Sequence, residues 1–187
     1  MKHMRYSQNH KAETRQRIID EASRRFRRDG IEGTGLVPLM KALGMTHGGF
    51  YAHFPSKEAL VEASLDAAVD EFNRKWPDPL APEQLQAFLA SYLSARHRDH
   101  PEAGCPLPTL CAELGLRGQP SPAADALAQR MAARVQDCGI DAAGEDQGLV
   151  VLAALVGALT LSRAVADPAL SDRILGAVHA AIKPSQD

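Results

Sequence analysis

Three features of the sequence predict an all-α fold with a three-helix head and a six-helix body. Apolar residues recur at three- and four-residue steps along most of the chain, and no stretch alternates apolar and polar as a half-buried strand does. Within residues 36–57, LVPLMKALGMTHGGFYAHFPSK, two short helical stripes meet at a glycine. Charge is divided along the chain. Residues 1–60 carry eleven Lys/Arg against six Asp/Glu, and residues 61–187 carry ten against seventeen. The net charge of −2 hides this asymmetry, which suits a protein that meets a polyanion at one end only. With 187 residues and 45% hydrophobic content, the chain can bury a sizeable core in one or two small domains.

Residues 1–10, MKHMRYSQNH, have no apolar period and read as a flexible basic arm, in which Lys2 and Arg5 can follow a phosphate backbone or minor groove. Residues 11–28 form the first helix, with Ile18, Ile19, Ala22 and Phe26 on one face and arginines over much of the rest. Asp29-Gly30 ends it, and Thr34 or Gly35 caps the second helix, whose Pro38 is tolerated because it lies in the first turn. Leu36, Leu39, Met40 and Leu43 make the second stripe, and Gly44 follows where a helix end calls for positive φ. Thr46 is suited to cap the third helix, Phe50 and Phe54 pack inward, and Tyr51 and His53 keep their polar tips outward. This is a helix-turn-helix pattern, whose second helix enters the DNA major groove.

Ser56 caps a long fourth helix that reaches Trp76, and Pro77, Pro79 and Pro82 form a rigid break after it. A fifth helix covers residues 83–97 and a turn-rich loop, HRDHPEAGCP, follows. Residues 107–114 and 123–137 supply the sixth and seventh helices. The eighth, residues 145–166, is apolar on nearly every face from Leu149 to Leu161, so it must be covered on several sides. In so small a chain that implies a second subunit. Asp167 and Pro168 open the ninth helix, with Leu170, Ile174, Leu175, Val178 and Ile182 in a stripe. The domain division is therefore an arm at 1–10, a DNA-binding head at 11–55, and a dimerisation body at 56–187, to which the resemblance described next adds effector binding.

THGGFYAHFPSKEAL, with ETRQRIIDEASRRFRRDG upstream, resembles the DNA-binding domain of TetR/AcrR-type transcriptional regulators over about 55 residues. GCPLPTLCAEL and SRAVADPALSDRIL are similar to one subgroup of that family. The resemblance implies that Thr46, His47, Gly48 and Gly49 face base edges, that Tyr51, His53 and Lys57 grip phosphate, and that Thr34 lies close to phosphate. Phosphate contacts set register, and only groove contacts specify sequence. Gly35 stands where many relatives have Ser or Thr, and His47 where Arg or Lys is common.

The resemblance also implies a repressor released from a palindromic double-stranded DNA operator by a small-molecule effector, acting as a homodimer, with no cofactor. Candidates to line an effector pocket are Trp76, Phe88, Tyr92, His97, Cys105, Leu107, Leu110, Cys111 and Met131, although apolar residues at helical spacing also make plain core. In the dimer interface the expectation falls on Ala154, Leu155, Gly157, Ala158, Leu159, Ile174, Leu175 and Val178, with Ala153 among the small residues that allow close approach.

A second reading makes Cys105 a thiol sensor of electrophiles or oxidants. It stands at the start of the sixth helix, and Arg96, His97, Arg98 and His100 lie just upstream, all of which would favour thiolate. His97, His100 and Cys105 lack a fourth ligand, so no metal is expected. There is no G-x-S-x-G, P-loop or paired-carboxylate context, and the expectation is not an enzyme. Three cysteines make no disulfide framework, no secretory signal is present, and the longest uncharged run, 147–162, falls short of the roughly 20 residues that span a bilayer. The expected location is cytoplasmic.

Overall fold

The computed structural model describes residues 2–77, 80–136, 138–139 and 146–184. Within them the elements are α1 (Lys2–Gly33), α2 (Leu36–Ala42), α3 (His47–Phe50), α4 (Lys57–Lys75), α5 (Pro82–Tyr92), α6 (Ala95–Asp99), a 3₁₀ turn (Pro101–Ala103), α7 (Leu107–Arg117), α8 (Pro122–Arg134), α9 (Gln147–Ala164) and α10 (Pro168–Ala181). Two short strands, β1 (Cys138–Gly139) and β2 (Lys183–Pro184), pair antiparallel and join the segment after α8 to the segment after α10. The fold is all-α, and this bridge is its one departure from the strand-free expectation among the described residues.

Helix α1 differs from the expected arm-plus-helix. Its backbone is helical from Lys2, because residues 2–10 contain neither Gly nor Pro and extend an existing helix one bond per residue. The expected stop at Gly30 is present as a kink, where φ 78 and ψ 174 leave helical geometry before one more turn closes at Gly33. Ile18, Ala22 and Phe26 of α1 meet Leu39, Met40, Phe50 and Phe54 in a head core that excludes water. The turn between α2 and α3 is built as its residues dictate. Gly44 takes φ 72, Met45 N–H donates to the Met40 carbonyl at 2.9 Å, and the Thr46 hydroxyl accepts the Gly49 N–H at 3.3 Å.

Among the described residues the body holds seven α-helices rather than six. The expected fifth helix breaks after Tyr92, because the Ser94 hydroxyl accepts the His97 N–H at 3.1 Å and starts α6 afresh within the span expected for that helix. In the packing order α1 lies on α4, α4 on α8, α8 on α9 and α9 on α10, while α7 lies against both α1 and α9. The α7–α1 seam is polar. The Ile31 N–H just past the kink donates to the Glu113 carboxylate, Thr109 Oγ1 donates to the Arg27 carbonyl at 3.0 Å, and Arg117 pairs with Glu32 at 3.3 Å.

Helix α9 is long and apolar enough to cross a membrane by length and composition alone. Its inner face, with Val151, Leu152, Leu155, Ala158 and Leu159, lies in the body's own core. That corrects the expected interface. Leu155, Ala158, Leu159 and Leu175 are sealed inside the protomer at 0, 3, 0 and 4% exposure and cannot meet a partner. Ala154, Gly157, Ile174 and Val178 are half-buried. The outward face of α9 instead shows Leu149, Val150, Ala153 and Leu161, and a Cβ added at Gly157 would meet nothing within 4 Å. The part of the eighth helix expected at residue 145, and Pro79 of the proline break, lie outside the described residues.

Candidate nucleic-acid interface and body cavity

The tip of the head is formed by α3 and the turn after it. Thr46, His47 and Gly48 are exposed there, and Gly49 is half-buried beneath the Thr46 cap. Tyr51 is exposed and sets its ring edge-on to His47 and to Phe50, with centroids 5.6 and 5.2 Å away. Phe50 stacks on Phe54 at 5.7 Å, so the apolar side of this short helix is anchored while the polar side stays free. Arg15 lies over the Phe54 ring at 4.7 Å, and Arg17 donates to the Leu43 carbonyl at 3.3 Å. These two cations therefore stand beside the recognition turn. The later arginines of α1 are taken up internally: Arg24 and Arg25 by Glu21, Arg27 by Glu71 and Arg28 by Asp29.

Two head residues are more enclosed than the exposed tip. Thr34 is 1% exposed, and its hydroxyl donates to the Gly30 carbonyl at 2.7 Å, so its side chain braces the α1 kink and does not face outward. His53 is half-buried and its Nδ1 has no hydrogen-bond partner in the protein. Burial, then the nearby Lys11 and Arg15 charges, hold its pKa below the usual imidazole value. Lys57 is half-buried in the first turn of α4, which the Ser56 hydroxyl caps by accepting the Ala59 N–H.

A cavity of about 120 Å³ opens in the body beneath the head. Trp76, Phe88, Tyr92, His97, Cys105 and Met131 of the sequence candidates line it. Leu107 and Leu110 do not, being core residues at 2% exposure, and Cys111 faces outward from α7. Sequence reasoning missed Arg27, Glu71, Phe72 and Lys75, which also line it. Arg27 lies two four-residue steps past Ile19, on the flank of the apolar stripe. That spacing is the one signal that it points inward.

Aromatic rings run along the wall. Phe88 meets Phe72 at 5.9 Å and Trp76 at 5.2 Å, both edge to face, and Tyr92 at 5.8 Å. His97 closes the row. Its Nδ1 lies 2.7 Å from the Tyr92 carbonyl and its Nε2 accepts the Cys105 N–H at 2.9 Å, which sets the neutral tautomer with the proton on Nδ1. Burial pushes its pKa down. Arg163 donates to the carbonyls of His97 at 2.7 Å and Arg98 at 3.1 Å, and so closes the C-terminal end of α6.

The surroundings of the Cys105 thiol differ from those the sequence suggests. Burial pushes its pKa up, and the basic residues upstream are directed elsewhere. Arg98 pairs with Asp99 and Asp172, His100 with Glu102, and Arg96 is exposed. The thiol contacts Met131 Sδ at 3.8 Å. Among the described residues no three His, Cys, Asp or Glu side chains are grouped to hold a metal ion.

Comparison with known proteins gives a consistent assignment. The family described as bacterial regulatory proteins, tetR family, matches residues 18–64, from the middle of α1 into α4. The HTH-type transcriptional regulator LmrA of Bacillus subtilis is 30% identical over 114 residues, 58% of this chain and 61% of LmrA. The HTH-type transcriptional repressor ComR of Escherichia coli is 34% identical over 107 residues, 54% of this chain and 50% of ComR. The matched stretch thus spans less than two thirds of either relative. The fold extends further than the sequence likeness. Reduced E. coli NemR superposes with a TM-score of 0.67 at 19% identity, over 94% of this chain and all of that one. AibR, solved with isovaleryl coenzyme A and operator DNA, superposes with a TM-score of 0.57 at 19% identity over 91% of this chain and 99% of its own. Because the matched residues 18–64 enclose the helix-turn-helix and the helices that brace it, this part of the chain is a helix-turn-helix domain of the tetR family of bacterial regulatory proteins.

Proposed function

We propose that the protein is a homodimeric repressor that binds a palindromic operator through α3 and is released when a small molecule enters the body cavity. The observation that carries the DNA reading is the exposed tip Thr46-His47-Gly48, with Tyr51 beside it and Arg15 and Arg17 behind it. Thr46 and His47 read bases, and Gly48 and Gly49 let the backbone come close to the groove. Tyr51 and Lys57 grip phosphate, together with the neutral ring of His53. One recognition helix reads few base pairs, so two heads roughly 34 Å apart read successive major grooves. The outward face of α9, with Leu149, Val150, Ala153 and Leu161, is the surface that a second copy covers. Such a protein works in the cytoplasm, where its operator is.

Release follows from connectivity. Arg27 of α1 lines the cavity, and α7, which starts beside Cys105, holds the α1 kink through Thr109 and Glu113. A ligand that favours one arrangement of α1 over another shifts the head, and only by its differential affinity for the two.

The test is fluorescence anisotropy on duplexes selected from a random pool. Lys57→Ala is expected to weaken binding to every sequence and to flatten the salt slope by about one unit. His47→Ala is expected to change preference among operator variants. A Lys57→Ala protein with altered preference and an unchanged salt slope would contradict these roles.

A further inference from the structure

We infer that the body cavity takes a small aromatic monocarboxylate, its carboxylate held by Arg27 and Tyr92 and its ring by Phe72, Trp76 and Phe88. The inference deepens the reading of this cavity as the effector site and rests on it.

Size comes first. A cavity of about 150 Å³ lined by apolar side chains accommodates benzene, and this one measures about 120 Å³. It fits one ring with a short substituent. Edge-to-face contacts already organise Phe72, Trp76 and Phe88, and they offer a ring the geometry that aromatic pairs prefer.

Polarity decides the substituent. Arg27 and Tyr92 line the cavity at only 8% and 5% exposure, yet Arg27 Nε has no hydrogen-bond partner in the protein and the Tyr92 hydroxyl has no better neighbour than the Cys105 thiol. Both are donors. Burial keeps the Tyr92 phenol protonated, with the Cys105 thiol beside it. Leaving one buried donor unpaired, and a second with only a weak sulfur acceptor, is costly, so an occupant that brings oxygen acceptors is favoured. The spare acceptors of the lining, the Ser91 hydroxyl and the second Glu71 oxygen, belong to exposed side chains. Both nitrogens of His97 are engaged, and Glu71 is paired with a terminal nitrogen of Arg27 at 3.3 Å.

Charge decides between an acid and a neutral acceptor. Arg27 and Lys75 face one carboxylate, Glu71, and His97 is neutral, so the lining carries one excess positive charge. That pair of ions leaves the Nε edge of the guanidinium free, and hydrogen bonds to a charged acceptor are the stronger kind. A cationic ligand would stand against the Arg27 and Lys75 charges, with only the exposed Glu71 carboxylate to offset them.

Isothermal titration of the full chain with benzoate, benzamide and benzylamine tests the assignment. Benzoate is expected to bind once per chain, benzamide at least ten-fold more weakly, and benzylamine not measurably. Tyr92→Phe removes only the hydroxyl and keeps the ring. It is expected to weaken benzoate five- to ten-fold while leaving the thermal midpoint of the free protein unchanged or higher. Arg27→Lys keeps a cation for Glu71 but removes the Nε donor, and a similar loss is expected. Absence of benzoate binding, benzylamine binding as tightly as benzoate, or full benzoate affinity in Tyr92→Phe would each overturn the inference. Anisotropy of labelled operator DNA is read separately. Benzoate that binds as described but leaves DNA bound upholds the ligand class and defeats the release reading.

Discussion

His97 Nε2 accepts the backbone N–H of Cys105 at 2.9 Å, across the loop that joins α6 to α7. With Nδ1 bound to the Tyr92 carbonyl, the ring serves as a neutral brace between the end of α5 and the start of α7. A second proton on the ring would set N–H against N–H at Cys105, which couples the brace to pH.

The first prediction follows from that brace. The folded pKa of His97 lies below its unfolded value of about 6.5, so the unfolded chain binds more protons between the two. Stability from this group is present above the unfolded pKa and is lost as pH falls below it. His53 shifts the same way and adds to the slope. Urea unfolding from about pH 8 down to about pH 5 is expected to show declining stability, with a shallower decline in His97→Gln. An unchanged slope in the variant would remove His97 from the account.

The kink at Gly30 sets the second. At φ 78 an L-residue is strained, and a Cβ there would also run into the Glu113 carboxylate that accepts the Ile31 N–H. Gly30→Ala is expected to cost about 2–4 kcal/mol in urea unfolding. Glu113→Gln keeps an acceptor for Ile31 and is expected to cost less than about 1 kcal/mol. A Gly30→Ala protein as stable as wild type would show that the kink is not needed.

Thiol reactivity gives the third. Cys111 is exposed, Cys138 is fully buried, and burial holds the Cys105 thiol protonated. Iodoacetamide labelling read by mass spectrometry at several pH values is expected to modify Cys111 first. If Cys105 labels fastest, the sensor reading of the sequence returns.

The fourth concerns assembly. Gly157 sits on the outer side of α9 with open space at its Cβ position, so Gly157→Arg strains no neighbour within the protomer. Replacing Gly in a helix is expected to favour the helix by up to about 1 kcal/mol. In sedimentation equilibrium the wild type is expected to be a dimer at micromolar concentration, and Gly157→Arg a folded monomer with an unchanged circular dichroism spectrum. A wild-type monomer that stays folded would sink the dimer.

Local chemistry was legible in the chain itself. Gly44, Thr46, Ser56 and Asp167 each satisfy a need that arises within three residues of where they stand, a positive φ or an orphan amide, so their roles depend on no distant partner. The helix-turn-helix and the all-α class follow from such residues and from apolar period. What lay beyond reach depended on which distant group faces each side chain. The resemblance put Thr34 close to phosphate, whereas the kink at Gly30 turns a carbonyl toward its hydroxyl. Cys105 has basic neighbours in sequence, but Asp99, Asp172 and Glu102 draw them away, and burial then governs the thiol. Arg27 reads as one more surface cation, whereas the packing of α1 on α4 carries it into the cavity beside Glu71. On α9 the sequence determined that most faces are apolar. Only the positions of α8 and α10 decided that Leu155 and Leu159 turn inward and Val150 and Leu161 outward, because a helix apolar all round carries no mark of its own inner side.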